Sequence, residues 1–240
     1  MPSVRIAIAA MIVLLAANAP SGAGCRLALV LALDVSASVD AGEYRLQATG
    51  MAQALVAPDV ASEILDDPAN PVAIAAFVWS GPGDQALIAD WTLIDSAERL
   101  RVLARTIAGH PRRTSFDGRT AIGSAMAQGA RLQAAAPPCD RQVIDFASDG
   151  ENNAGIDPAS QRDAATLRHV TINALAITGQ RPHDLPRNDQ PLRSLRDYLR
   201  ANVIRGPDAF VETAFDYHDF ERAMTRKLLR ELRPLMVSAD

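Results

Sequence analysis

A chain of 240 residues, 48 % apolar and 22 % charged, is long enough to bury an extensive core and needs no disulfide or metal merely to fold. Aromatics are scarce at 5 %, and Ala, Val, Leu and Ile fill the apolar quota, a mix suited to helices packed on a parallel sheet. The formal net charge of −4 argues against nucleic acid as a partner, because such proteins present basic surfaces to phosphate.

The first residues read as a leader. Arg5 precedes Ile6 to Ala17, an unbroken apolar run too short to span a bilayer comfortably but suited to the apolar region of a secretory signal. Small residues follow at Ala17-Asn18-Ala19 and Ser21-Gly22-Ala23. Pro20 would sit badly just past a cut after Ala19, so cleavage is expected after Ala23. A retained anchor and a lipid on Cys25 are the alternatives; against the second, Gly22 stands where lipoprotein signals usually carry leucine. Residues 1–23 are thus read as signal peptide and 24–240 as one domain, exported to the periplasm or secreted, with no membrane span in the mature chain. Loss of Arg5 takes the net charge from −4 to −5.

Arg26 to Leu33 is almost wholly apolar, as a strand buried on both faces should be. It ends in Asp34-Val35-Ser36-Ala37-Ser38. Asp40, three residues before Glu43, has capping-box spacing and predicts a helix over Ala41 to Val56, with a further turn before Asp66. Val72 to Trp79 is a second buried strand. The Ser80-Gly81-Pro82-Gly83 turn then leads to Gln85 to Leu93, an antiparallel edge strand. Ser96 caps a helix through Ala108, and His110 to Arg119 is a polar loop. Thr120 to Ala135 is helical, with Gly123 and Gly129 as weak points, and Pro137-Pro138 stops it. Arg141 to Ala147 and Thr171 to Ile177 are further strands, with a helix from Asp157-Pro158 between them. Thr178 to Gln190 is a loop, Pro191 to Ala201 a helix, Ala209 to Thr213 a sixth, edge strand, and Tyr217 to Leu232 the last helix. Such alternation gives a doubly wound α/β fold with a mainly parallel six-stranded sheet.

In doubly wound sheets ligands sit beyond the C-terminal strand ends. Asp34, Ser36 and Ser38 follow the first strand, Thr120 opens a helix, and Asp149 follows the fourth strand, so all five converge on that edge. All offer oxygen, which hard divalent cations such as Mg²⁺ or Mn²⁺ prefer. Hydroxyls are neutral, so two carboxylates suffice to balance the ion.

DVSASVD, GRTAIGSAM and FASDG resemble, in order, the three parts of the metal-ion-dependent adhesion site of von Willebrand factor A-type domains. The resemblance runs from about Arg26 to Arg233, and implies that fold, with one antiparallel edge strand. VWSGPG at Val78 to Gly83 and the Trp91-Thr92 strand look like an uncharacterised exported bacterial branch. By this resemblance Ser36, Ser38 and Thr120 would ligate the ion directly, with Asp34 and Asp149 acting largely through water. A carboxylate from an unknown protein partner would complete the sphere. In that topology the first and fourth strands are parallel neighbours. Cys25 lies nine positions before Asp34 and Cys139 ten before Asp149, so a disulfide is expected at the opposite edge of the sheet.

The leading expectation is therefore a metal-dependent binding module that is not an enzyme. A hydrolase using the same ion is the alternative, and it would need a base or nucleophile that the sequence does not offer nearby. There is no Gly-x-Ser-x-Gly elbow, and no glycine-rich phosphate loop follows the first strand. The histidines His110, His169, His183 and His218 show no zinc-ligand spacing. Arg112, Arg113 and Arg119 could steer an acidic ligand or be solvated loop residues, and Trp79 and Trp91 could form a surface or pack in the core. Glu151, Asn152 and Asn153 could line the rim or simply turn the chain.

Overall fold

The computed structural model describes residues 24–114, 116–179 and 194–233. The expected signal peptide lies outside them, as does His183 and most of the expected loop over 178–190. Every residue of β1 (Leu27–Asp34) and β2 (Val72–Trp79) is buried, which is what their unbroken apolar runs require. β3 (Gln85–Ile94) is half-exposed and antiparallel to β2, as an edge strand should be. β4 (Gln142–Ser148), β5 (Thr171–Ile177) and β6 (Val211–Ala214) complete a six-stranded sheet of order β3-β2-β1-β4-β5-β6. All other neighbouring pairs are parallel. The strand order reverses direction at β1, so the crevice between β1 and β4 is the switch point where such sheets receive ligands.

Helices cover both faces. Leu27, Leu29, Leu31 and Leu33 point to the layer of α1 (Ala41–Val56), α2 (Pro58–Leu65), α3 (Ala97–Ala108) and α7 (Phe220–Leu232). Val30, Ala32, Phe77 and Trp79 point to the opposite layer, which holds α4 (Ile122–Ala134) and α6 (Leu195–Asn202), with the short α5 (Pro158–Arg162) beside α4. Burying one such leucine contributes about 1.5–3 kcal/mol, so β1 alone anchors a large share of the core.

Several boundaries differ from expectation for local reasons. The turn expected after α1 is a separate helix, because Pro58 lacks the N–H to continue α1 and starts α2 instead. α4 begins at Ile122 with Ala121 at the cap, so Thr120 precedes the helix. α7 begins at Phe220, which leaves Tyr217 in the approach. Gly123 and Gly129 are close-approach positions and not merely weak points. A Cβ on Gly123 would stand 2.1 Å from Ile156 O, and one on Gly129 would stand 2.9 Å from Ile144 Cδ1. At the N-terminal edge of the sheet, Cys25 and Cys139 form a disulfide, and Asp140 N–H donates to Cys25 O at 2.8 Å. No helix among the described residues is long and apolar enough to cross a membrane.

Candidate metal centre

The parallel pairing of β1 with β4 delivers Asp34 and the Ser148-Asp149 pair to one edge. Asp34 is wholly buried, and its two oxygens have different tasks. Oδ1 accepts from Ser36 N–H at 2.8 Å, folding the loop back over the strand end. Oδ2 accepts from Ser148 Oγ at 2.7 Å, tying the β1 and β4 ends together. The Ser36 and Ser38 hydroxyls lie 3.2 Å apart. Ser38 Oγ donates to Asp149 Oδ1 at 2.7 Å, and Tyr217 OH donates to Asp149 Oδ2 at 3.1 Å. Asp34, Ser36, Ser38, Ser148, Asp149 and Tyr217 thus lie in one hydrogen-bonded group.

Thr120 reaches the same edge by another route. Its backbone is clamped by Asn153, whose Oδ1 accepts from Thr120 N–H at 2.9 Å and whose N–H donates to Thr120 O at 2.8 Å. Asn152 Oδ1 accepts from Gly123 N–H at 3.3 Å, and Asn152 N–H donates to Tyr198 OH at 3.2 Å. The chain after Asp149 is therefore strapped to the start of α4. A Cβ on Gly150 would meet Thr120 Oγ1 at 3.7 Å, which places that hydroxyl beside the Asp149-Gly150 backbone. On the other flank Ala37 N–H donates to Gly118 O at 2.8 Å. Gly118 has a φ of 78°, and Ala37 Cβ leaves no room for a larger residue there.

The electrostatics favour a cation. Burial, and then the charge of Asp149, push the Asp34 carboxyl up to about 7, although the bonds from Ser36 and Ser148 pull the other way. Burial, then Asp149 and Asp34, also push the Tyr217 hydroxyl up, so it remains a donor. Among the described residues no basic side chain pairs with Asp34 or Asp149. No group of three or more His, Cys, Asp or Glu among those residues could hold a metal. An ion at this edge therefore depends on hydroxyls, and an all-oxygen set of two carboxylates and three hydroxyls fits a hard divalent cation.

The weaker sequence candidates separate cleanly. Arg112 lies under the loop, with Nε donating to Val39 O at 3.1 Å and Nη2 to Ser36 O at 3.4 Å. Arg119 is exposed and paired with Asp117 at 2.6 Å. Trp79 is fully buried against Phe146, and Trp91 Nε1 donates to Leu132 O at 3.0 Å. His110 contacts Tyr44 OH through Nδ1 at 3.0 Å. Ser148 and Tyr217 belong to the group without being among the residues singled out from sequence. The FASDG segment could have exposed Ser148, but Tyr217 carries no local signal.

The fold is that of von Willebrand factor A domains. Proximal thread matrix protein 1 from the mussel byssus superposes with a TM-score of 0.63 at 13% identity, over 88% of this chain and 48% of that one. A second structure of that protein, described as having a zinc-occupied MIDAS motif, gives 0.57 at 16% identity, over 87% and 46%. A von Willebrand factor type A protein from Catenulispora acidiphila gives 0.58 at 16% identity, over 87% and 43%. The chain thus spans about half or less of the length of these structures. No curated protein matches by sequence. Residues 24–236 match the family described as "Protein of unknown function (DUF1194)", and the chain belongs to that family.

Proposed function

We propose that this chain is an exported, divalent-metal-dependent protein-binding module and not an enzyme. One observation carries the reading: two carboxylates and the hydroxyls of Ser36 and Ser38 are drawn together at the switch point of the sheet, with no basic partner among the described residues. Ser36, Ser38 and Thr120 would hold Mg²⁺ or Mn²⁺, while Asp34 and Asp149 supply the balancing charge. The bound ion would supply an electrophilic centre for an oxygen ligand. Because the protein contributes only two carboxylates, a carboxylate from a protein partner is a favourable last ligand.

The zinc-occupied MIDAS motif belongs to the mussel protein, and it supports a metal on this fold without naming the ion here. Export is supported by the disulfide, which oxidising compartments favour, and by the leader-like residues before Gly24. We read residues 24–240 as one domain.

The test is retention of the protein on an immobilised library of acidic peptides with Mg²⁺ or Mn²⁺ and with chelator, beside Ser36→Ala and Asp149→Ala. The reading expects metal-dependent retention that both variants lose. Retention unchanged by chelator would refute it. Metal-dependent turnover of phosphoester or peptide substrates would favour a hydrolase.

A further inference from the structure

Far from the metal edge, in the middle of β4, the core contains an ionisable cluster that the proposed function does not use. Lys227 of α7 is wholly buried, and so, to within 2 %, are Asp145 of β4 and Glu231 of α7. Lys227 Nζ lies 2.6 Å from Asp145 Oδ1 and 2.6 Å from Glu231 Oε1. Asn173, the register partner of Asp145 on β5, donates from Nδ2 to Glu231 Oε1 at 2.9 Å. Its own Oδ1 accepts from Phe210 N–H at 3.1 Å, which fixes the amide orientation. The Phe210 ring closes the cluster, with Lys227 Nζ 5.1 Å from its centroid and the Arg230 guanidinium 3.9 Å away on the ring. Arg141 enters from the sheet edge and donates to Glu231 O at 3.0 Å.

The amine makes two contacts. Its approach to Glu231 is a hydrogen bond. Its approach to Asp145 is an equally short ion pair, so a single amine faces two buried carboxylates. With one amine between two buried carboxylates, ionising both carboxylates at once is strongly disfavoured. Burial and then the charge of Glu231 hold the Asp145 carboxyl above the usual carboxylate range. A neutral carboxylic acid is an electrophile where a carboxylate is not. A desolvated lysine is a nucleophile, and lysines readily take that role when buried. Holding the two in contact replaces an encounter between molecules by one within the core.

We propose that Lys227 and Asp145 are joined by an isopeptide bond, formed within the folded protein with Glu231 moving the proton, which ties α7 covalently to β4. The neutral amine of Lys227 attacks Asp145 Cγ, and the C–N bond forms. Glu231 takes the proton from nitrogen and returns it to an Asp145 oxygen. The C–O bond breaks, one water leaves, and an amide replaces amine and acid. The condensation needs no oxidant or cofactor. It also removes two buried ionisable groups, which relieves the desolvation that the unlinked cluster carries.

The test is the intact mass of the non-reduced, folded mature protein, followed by tandem mass spectrometry of its peptides. After allowance for the disulfide hydrogens, the linked protein is lighter than its sequence by one water, about 18 Da. Digestion yields a branched peptide joining the Asp145 and Lys227 segments. Glu231→Gln and Lys227→Arg should give the full mass. Wild-type protein at full mass, with linear peptides containing Asp145 and Lys227, would overturn the proposal, whether or not the variants fold. So would a water loss that maps to Asp117 or Asp149, both of which precede glycine and can form succinimides instead.

Discussion

Replacing Asp34 by Asn should make the metal-free protein more stable at pH 8, with the advantage shrinking as pH falls until the two stabilities nearly meet at pH 4. The wild-type carboxyl is wholly buried and titrates near 7 in the folded chain, against about 3.9 in an unfolded one. Its folded-state pKa is raised, so the folded protein holds a proton that the unfolded chain releases. The associated stability is fully present below about pH 4 and is lost as pH rises through about 7. A difference of about three units corresponds to about 4 kcal/mol, and relaxation of the loop brings the expected effect to about 2–4 kcal/mol. Asn keeps an acceptor for Ser36 N–H. Ser148 Oγ can turn to donate to Gly150 O, which it already faces at 3.0 Å, and accept from the new amide. Asp145 is present in both proteins and cancels. Calorimetric unfolding in chelator from pH 4 to pH 8 reads the difference directly, as about 2–4 °C per kcal/mol in a domain of this size. Saturating Mg²⁺ should restore the wild type at pH 8 and leave Asp34→Asn unmoved. Parallel stability curves for the two proteins in chelator would refute the reasoning.

Other perturbations probe the surroundings. Tyr217→Phe removes the donor to Asp149 Oδ2 and should weaken Mn²⁺ binding about 10-fold by titration calorimetry, while stability in chelator falls by no more than about 1 kcal/mol. Asn153→Ala unpins Thr120 N–H and should cost about 1–3 kcal/mol in denaturant unfolding, with a further loss of metal affinity. Replacing Cys25 and Cys139 together by Ser should cost about 3–5 kcal/mol in the chain-entropy picture. The metal-induced stabilisation should survive that change, because the bond lies at the opposite edge of the sheet.

Much of this organisation was legible in the chain because it is local. The apolar runs of β1 and β2 are buried end to end, and the Asp40–Glu43 capping box forms as its spacing predicts. The disulfide was reachable by counting back along β1 and β4 once the resemblance implied that these strands are neighbours. What escaped detection depends on partners far apart in sequence. Lys227 sits in a helix that reads as amphipathic, and its burial is met by Glu231 one turn on and by Asp145, which the strand brings to it from far away in sequence. Tyr217 resembles any residue before a helix until the fold brings Asp149 to it. Asn152 and Asn153 read equally as rim or turn residues, and the fold uses both to strap the Asp149 loop to the start of α4. Thr120 reads as the first residue of the helix, but α4 starts at Ile122 and the Thr120 backbone is held by Asn153.

The most direct test of the central claim is thermal unfolding of the mature protein in Mg²⁺ or Mn²⁺ and in chelator, beside the Ser36→Ala, Ser38→Ala double variant. An ion at ten times its dissociation constant adds about 1.4 kcal/mol, which is a rise of about 3–6 °C. The account predicts that rise in the wild type and its loss in the double variant, which keeps both carboxylates. An equal rise in both proteins would place the ion elsewhere, and no rise in either would contradict a metal centre at this edge.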